Sequence, residues 1–123
     1  EVMNYAVNTL HGEGFTRIFT TDKYSNNEDE FAAVKAKGHE IVEAGFSYIN
    51  KLLNKSGFVL EQFSIADAAL FYVEFWADRI GIAMPDKCQT HYRQMLQRPA
   101  VQQVLQEEGC ASVVQQAMQQ PQP

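Results

Sequence analysis

The chain has 123 residues, 46% of them apolar and 20% charged, and carries a net charge of −5 at pH 7. That length and balance describe one ordinary folded domain with a single core, and they exclude wholesale disorder. An acidic chain with a sequence pI near 5.1 lacks the basic face that nucleic acid or an anionic membrane surface demands. Its longest apolar run, Ala68 to Val73, falls far short of the roughly 18 residues that span a bilayer.

The periodicity is helical nearly everywhere. Met3, Val7 and Leu10 predict the buried face of a first helix. The sequence enters that helix abruptly at Glu1, as a fragment, a processed product or an isolated domain would, with no basic-then-apolar leader. Thr20 to Glu28 is polar and reads as a loop, and Asn27 with Glu30 predicts a capping box for a second helix. There Phe31, Val34, Gly38, Ile41, Gly45, Tyr48 and Leu52 alternate steps of three and four, an a/d seam. Glycine inside a helix costs about 1 kcal/mol relative to alanine. Close approach of a neighbouring helix is therefore expected at Gly38 and Gly45, either within the chain or across a dimer. Lys55-Ser56-Gly57 is the expected stop.

A third helix runs from Ser64 to about Ile80, apolar nearly all round and so suited to the centre of a bundle, with Gly81 as its stop signal. A fourth begins near Pro85 and turns Cys88, Tyr92, Met95 and Leu96 inward. Pro99 then opens a short helix with Val101, Val104 and Leu105 inward and Gly109 closing it. The glutamine-rich remainder predicts one weak turn around residues 111–118 and then disorder. No strand pattern appears. The fold class is all-α, a bundle of four to six helices, with the domain over residues 1–110 and a tail over 111–123.

Ser64 and Asp67, three apart at the head of the apolar helix, form a structural capping box in which each satisfies a backbone N–H of the other. In the first helix Asn4, Asn8 and His11 stand at i, i+4 and i+7, within about 60° of one another. That polar stripe borders a cleft or is an ordinary exposed face. Phe15, Ile18 and Phe19 follow it, as core packing or as an apolar substrate wall. Tyr72 and Trp76 read first as core. Cys88 and Cys110 make no disulfide scaffold and point to a reducing, cytoplasmic setting. Cys88, on an apolar face, reads as a buried inert thiol. His39 and His91 have no ligand-spaced partner, so no metal site is expected.

Phe63-Ser64-Ile65-Ala66-Asp67-Ala68-Ala69-Leu70-Phe71 resembles the capping-box segment of the glutathione S-transferase C-terminal domain. The run from Arg98-Pro99-Ala100-Val101-Gln102 to Glu108-Gly109 is similar to a later segment of the same domain. Asn4-Tyr5, Leu10-His11 and Gly14-Phe15-Thr16 look like the first helix of its bacterial beta-class members, with two residues, Gly12 and Glu13, where that pattern has one. The resemblance covers about Asn4 to Gly109.

It implies the second of two domains, docked on an N-terminal thioredoxin-like domain that holds most of the glutathione site and the residue at the thiol. It implies glutathione as cosubstrate, with no covalently bound cofactor, and a hydrophobic electrophile as the other substrate. His11 would act at the thiol and Asn4 and Asn8 on the tripeptide, while Phe15, Ile18 and Phe19 would line the electrophile pocket. A homodimer is expected, and so is a detoxifying conjugation reaction that this chain alone would not perform. The alternative is a non-catalytic assembly module, as related helical domains are in translation proteins. An unrelated helical bundle is a third reading.

Overall fold

A computed structural model describes residues 1–53, 59, 62–110 and 112–113. Five helices, and no strand among the described residues, make the fold all-α. The first, α1, covers residues 2–19: an α-helical turn at Val2–Asn4, a π-helical stretch at Tyr5–Phe15, and an α-helical turn at Thr16–Phe19. Two short 3-10 turns, Thr21–Lys23 and Glu28–Glu30, lead to α2 (Phe31–Leu52). Then come α3 (Ile65–Ile80), α4 (Asp86–Leu96) and α5 (Pro99–Glu107). No described helix is long and apolar enough to cross a membrane.

The inner face of α1 differs from the expected one. Met3 and Val7 are exposed, while Val2, Ala6, Leu10, Gly14 and Phe15 are buried. The cause is the helix type. An i→i+5 ladder takes more residues per turn than the 3.6 of an α-helix, so the core-facing stripe drifts in the opposite sense and runs through Val2, Ala6, Leu10 and Gly14. Counting by 3.6 picks the neighbouring stripe.

The glycines of α2 meet α1 and not a second chain. A Cβ on Gly38 would lie 2.8 Å from the Gly14 carbonyl oxygen, and one on Gly45 would lie 2.3 Å from Leu10 Cδ2. Close approach inside the chain is what offsets their helical cost. The buried stripe is Gly38, Val42, Gly45, Phe46 and Ile49, so the expected seam members Phe31, Val34, Ile41 and Leu52 flank it and Tyr48 is exposed. The Asn27 box is also not formed as expected. Asn27 Oδ1 accepts from the Asp29 N–H, and the Glu30 carboxylate takes the Ser25 hydroxyl instead. Asn27 therefore caps the 3-10 turn ahead of α2. The Lys55-Ser56-Gly57 stop lies outside the described residues; α2 ends at Leu52, with Leu53 extended.

Helix α3 is central. Leu70, Val73 and Ala77 join Leu10, Phe46 and Ile49 in one apolar cluster, while Phe71 and Phe75 pack on a second built from Tyr92, Leu96 and Leu105. Fully burying such a side chain contributes about 1.5–3 kcal/mol. Its surroundings are less complete than the composition suggests, since Ile65 is 72% and Tyr72 48% exposed. At its head the capping box is closed, the Asp67 carboxylate taking the Ser64 N–H at 2.8 Å. Asp67 also takes the Val59 N–H at 2.8 Å. Gly81 ends the helix at φ 78° with the Ile82 N–H on the Ala77 carbonyl, the arrangement a left-handed glycine permits.

Helix α4 starts on α2. Asn50 Oδ1 accepts the Lys87 N–H at 2.9 Å, satisfying an orphan donor of the first turn. Cys88, Tyr92, Met95 and Leu96 are buried as expected. In α5 Leu105 is buried and Val101 half-buried, but Val104 is 56% exposed, because nothing in the second cluster reaches around to it. Of the expected tail, residues 111 and 114–123 lie outside the described residues.

Candidate functional site

Two apolar cavities open where α1 crosses α3. One, of about 260 Å³, is lined by His11, Phe15, Thr16, Phe19, Thr20, Tyr72 and Trp76. The other, of about 320 Å³, is lined by Ala6, Val7, His11, Ala69, Tyr72 and Val73. His11 and Tyr72 belong to both and stand between them, their ring centroids 5.5 Å apart at 56°. Each cavity is near the lower end of the range for small-molecule sites, about 300–1,000 Å³.

The first cavity has an aromatic frame. Phe15 and Phe19 stack at 5.9 Å, Phe19 meets Trp76 at 4.7 Å, and Trp76 meets Tyr72 edge-on at 5.9 Å. Such contacts hold the wall in shape beyond area burial alone. Phe15 is 2% exposed and belongs to the core as well, whereas Phe19 at 45% has a free face.

The polar groups on this wall are mostly spoken for. Thr16 Oγ1 donates to the Gly12 carbonyl at 2.7 Å and also meets the Tyr24 hydroxyl, while Thr20 Oγ1 donates to the Thr16 carbonyl at 2.6 Å. Both threonines therefore present their methyl groups as the surplus surface. Among the described residues no hydrogen bond engages the His11 imidazole. An exposed imidazole with both nitrogens open, between two apolar hollows, can donate a hydrogen bond to an anion, accept one, or hold a water.

Of the residues singled out from sequence, His11, Phe15 and Phe19 share one cavity wall. Ile18 does not join them. It packs on the core against the Gly38 backbone of α2. Asn4 and Asn8 line neither cavity. Their side chains bond to each other on the exposed surface of α1, Asn8 Nδ2 donating to Asn4 Oδ1. That leaves the Asn4 amide hydrogens and the Asn8 carbonyl oxygen facing outward, before His11 in the chain. Tyr72 and Trp76, which read first as core, line the cavity; Trp76 also packs against the main cluster, whereas Tyr72 is half-exposed. Their spacing of four on α3 was the available signal, because it places both on the edge that Leu70, Val73 and Ala77 leave outward.

Comparison with known proteins bears on this geometry. The sequence model described as glutathione S-transferase, C-terminal domain, matches residues 32–107. The chain is 32% identical over 112 residues to the glutathione S-transferase GstA of Escherichia coli O157:H7, an alignment that covers 89% of this chain and 52% of GstA. The chain thus spans about half the length of that relative. No solved structure gives a significant match.

Proposed function

The chain belongs to the glutathione S-transferase C-terminal domain family, and from that premise we propose that it forms the electrophile-binding wall of an enzyme conjugating glutathione to hydrophobic electrophiles. The observation that carries the reading is the aromatic cavity of Phe15, Phe19, Tyr72 and Trp76 with an uncommitted imidazole, His11, at its edge. An electrophile site must be apolar to hold aryl or alkyl groups. It must also adjoin a group able to favour thiolate over thiol, since the thiolate is the nucleophile. In this reading His11 favours the thiolate by donating a hydrogen bond toward it or by holding a water there. Sulfur then attacks the electrophilic carbon, and the leaving group departs with its electron pair.

In this reading Asn4 and Asn8 present their outward amide groups to the tripeptide. The residue that contacts the thiol directly, and most of the glutathione site, belong to a thioredoxin-like domain outside these 123 residues. The chain alone is accordingly not expected to turn over substrate. The protein acts as a homodimer in a cytoplasmic, detoxifying role, and glutathione is a cosubstrate and not a bound cofactor.

His11→Ala in the two-domain protein tests the reading. Turnover should fall, by up to the 10²–10⁴-fold that a positioned proton-handling group contributes, with a displaced pH–rate profile. An unchanged profile removes His11 from the chemistry. If glutathione and an S-aryl glutathione conjugate both leave the His11, Asn4 and Trp76 signals unmoved in that protein, the transferase reading fails and a non-catalytic assembly module takes its place.

A further inference from the structure

The seam between α3 and α4 contains three ionisable side chains with no solvent access. Asp67, Glu74 and His91 are each 0% exposed. His91 lies between the two acids, Nδ1 2.7 Å from Glu74 Oε1 and Nε2 2.9 Å from Asp67 Oδ1. Asp67 and Glu74 are seven apart on α3, two turns on one face, and His91 reaches both from α4. The cavities described above do not include any of the three.

Proton counting constrains this cluster. Each contact joins a ring nitrogen to a carboxylate oxygen and needs one hydrogen between them. Two contacts need two hydrogens. A neutral imidazole carries one, and two ionised carboxylates carry none. The closed cluster therefore holds one proton more than the same three groups hold in water above the ordinary histidine pKa of about 6.5. Where that proton resides is a property of the cluster and not of one residue. Glu74 Oε2 strengthens the demand: it is buried with no hydrogen-bond partner among the described residues, so a full charge on Glu74 is poorly solvated.

We infer that folding of this domain takes up a proton into the Asp67–His91–Glu74 cluster, making the α3–α4 seam a lock that weakens as the pH rises above neutrality. The electrostatics agree in sign. Burial pushes the Glu74 carboxyl up to about 7 against the pull of His91. Burial disfavours the His91 cation, but its bonds to Glu74 and Asp67 outweigh that and raise its pKa. Both shifts favour keeping, in the folded state, the one extra proton that the unfolded chain releases. Their contribution is thus fully present below the unfolded histidine value and is lost as the pH rises through the folded one. From α4, Cys88 and Tyr92 also feel the charge of Glu74, and Asp78 and Arg79 act on Tyr92. The Tyr92 phenol is protonated in both states below pH 8, and the Cys88 thiol, which ionises near 8.5 in an unfolded chain, adds at most about a quarter of a proton to the release at pH 8 and almost none at pH 7.

The test is unfolding of the full chain between pH 7 and 8. Wild type should lose about tenfold in its folding equilibrium constant per pH unit, and calorimetry in buffers of different ionisation enthalpy should show about one proton released per chain on unfolding. Glu74→Gln should flatten the slope, because its amide carries its own hydrogen and can bond the Nδ1 of a neutral imidazole while Nε2–H serves Asp67. Proton release near zero for wild type, or a Glu74→Gln variant with the undiminished wild-type slope, overturns the inference. The calorimetric count needs no variant, so it decides the matter even if Glu74→Gln does not fold.

Discussion

Gly38→Ala should destabilise the domain even though it improves the intrinsic propensity of α2. Alanine in place of a helical glycine is worth about 1 kcal/mol. Against that, the added methyl would meet the Gly14 carbonyl oxygen at 2.8 Å, Ile18 Cγ1 at 2.9 Å and Arg17 Cβ at 3.0 Å. Ile18 has some rotamer freedom, but the carbonyl is part of the α1 backbone and moves only with the helix. Overpacking of this kind costs typically about 1–3 kcal/mol, so the net loss is about 1 kcal/mol. With a urea m-value of about 1–3 kcal/mol/M for a small protein, the midpoint should fall by roughly half a molar. Gly12→Ala supplies the control within the same helix pair. Its methyl would meet nothing closer than the Val7 carbonyl at 3.4 Å, an ordinary contact, so the propensity gain survives and the midpoint should rise. Urea unfolding of both variants checks the reasoning. A Gly38→Ala midpoint at or above wild type, with unchanged m, refutes the claim that close approach is why this glycine is present.

The two thiols should differ sharply in reactivity. Burial, reinforced by the charge of Glu74, pushes Cys88 up to about 12, so a thiol–disulfide reagent at pH 8 should titrate Cys110 promptly and Cys88 only as the chain unfolds; two equally fast thiols contradict the burial. The two-domain protein should sediment as a dimer, and Gly45→Ala should leave its association unchanged because Gly45 faces Leu10 of its own chain. A strict monomer at high concentration removes the dimer from the proposal.

Helix ends were easier to read than helix faces, and the reason is local. A cap is decided by two or three neighbouring residues. Ser64 with Asp67, Gly81 at φ 78°, Pro99 in a first turn and Gly109 at φ 80° each stop or start a helix by their own stereochemistry. Asn27 shows the limit: Ser25 competed for Glu30, and the box gave way to a 3-10 turn. A face depends on which residues another helix covers. Val104 follows the apolar period of α5 yet faces outward, for want of a neighbour on that side. The buried triad was harder still, since its members come from two helices separated by a connection. Its signals were Glu74, two turns after Asp67 in an otherwise apolar helix, and His91, one step of three from buried Cys88. Read together, an acid pair and a histidine on two inward faces mark a seam whose polar groups must meet.

The π-helical stretch links the fold to the candidate site. Residues four apart share a face in either helix type, offset by about 40° one way in an α-helix and by a similar angle the other way on an i→i+5 ladder such as Tyr5–Phe15. His11 and Phe15 share a cavity wall, while Gly14 presents its bare backbone to Gly38 of α2. The stretch thus serves two demands, close packing of α1 on α2 through Gly14 and one side of the aromatic cavity through His11 and Phe15. Departures of this type concentrate at functional sites, and here the widened segment runs into the aromatic cavity and supplies His11 and Phe15 to its wall.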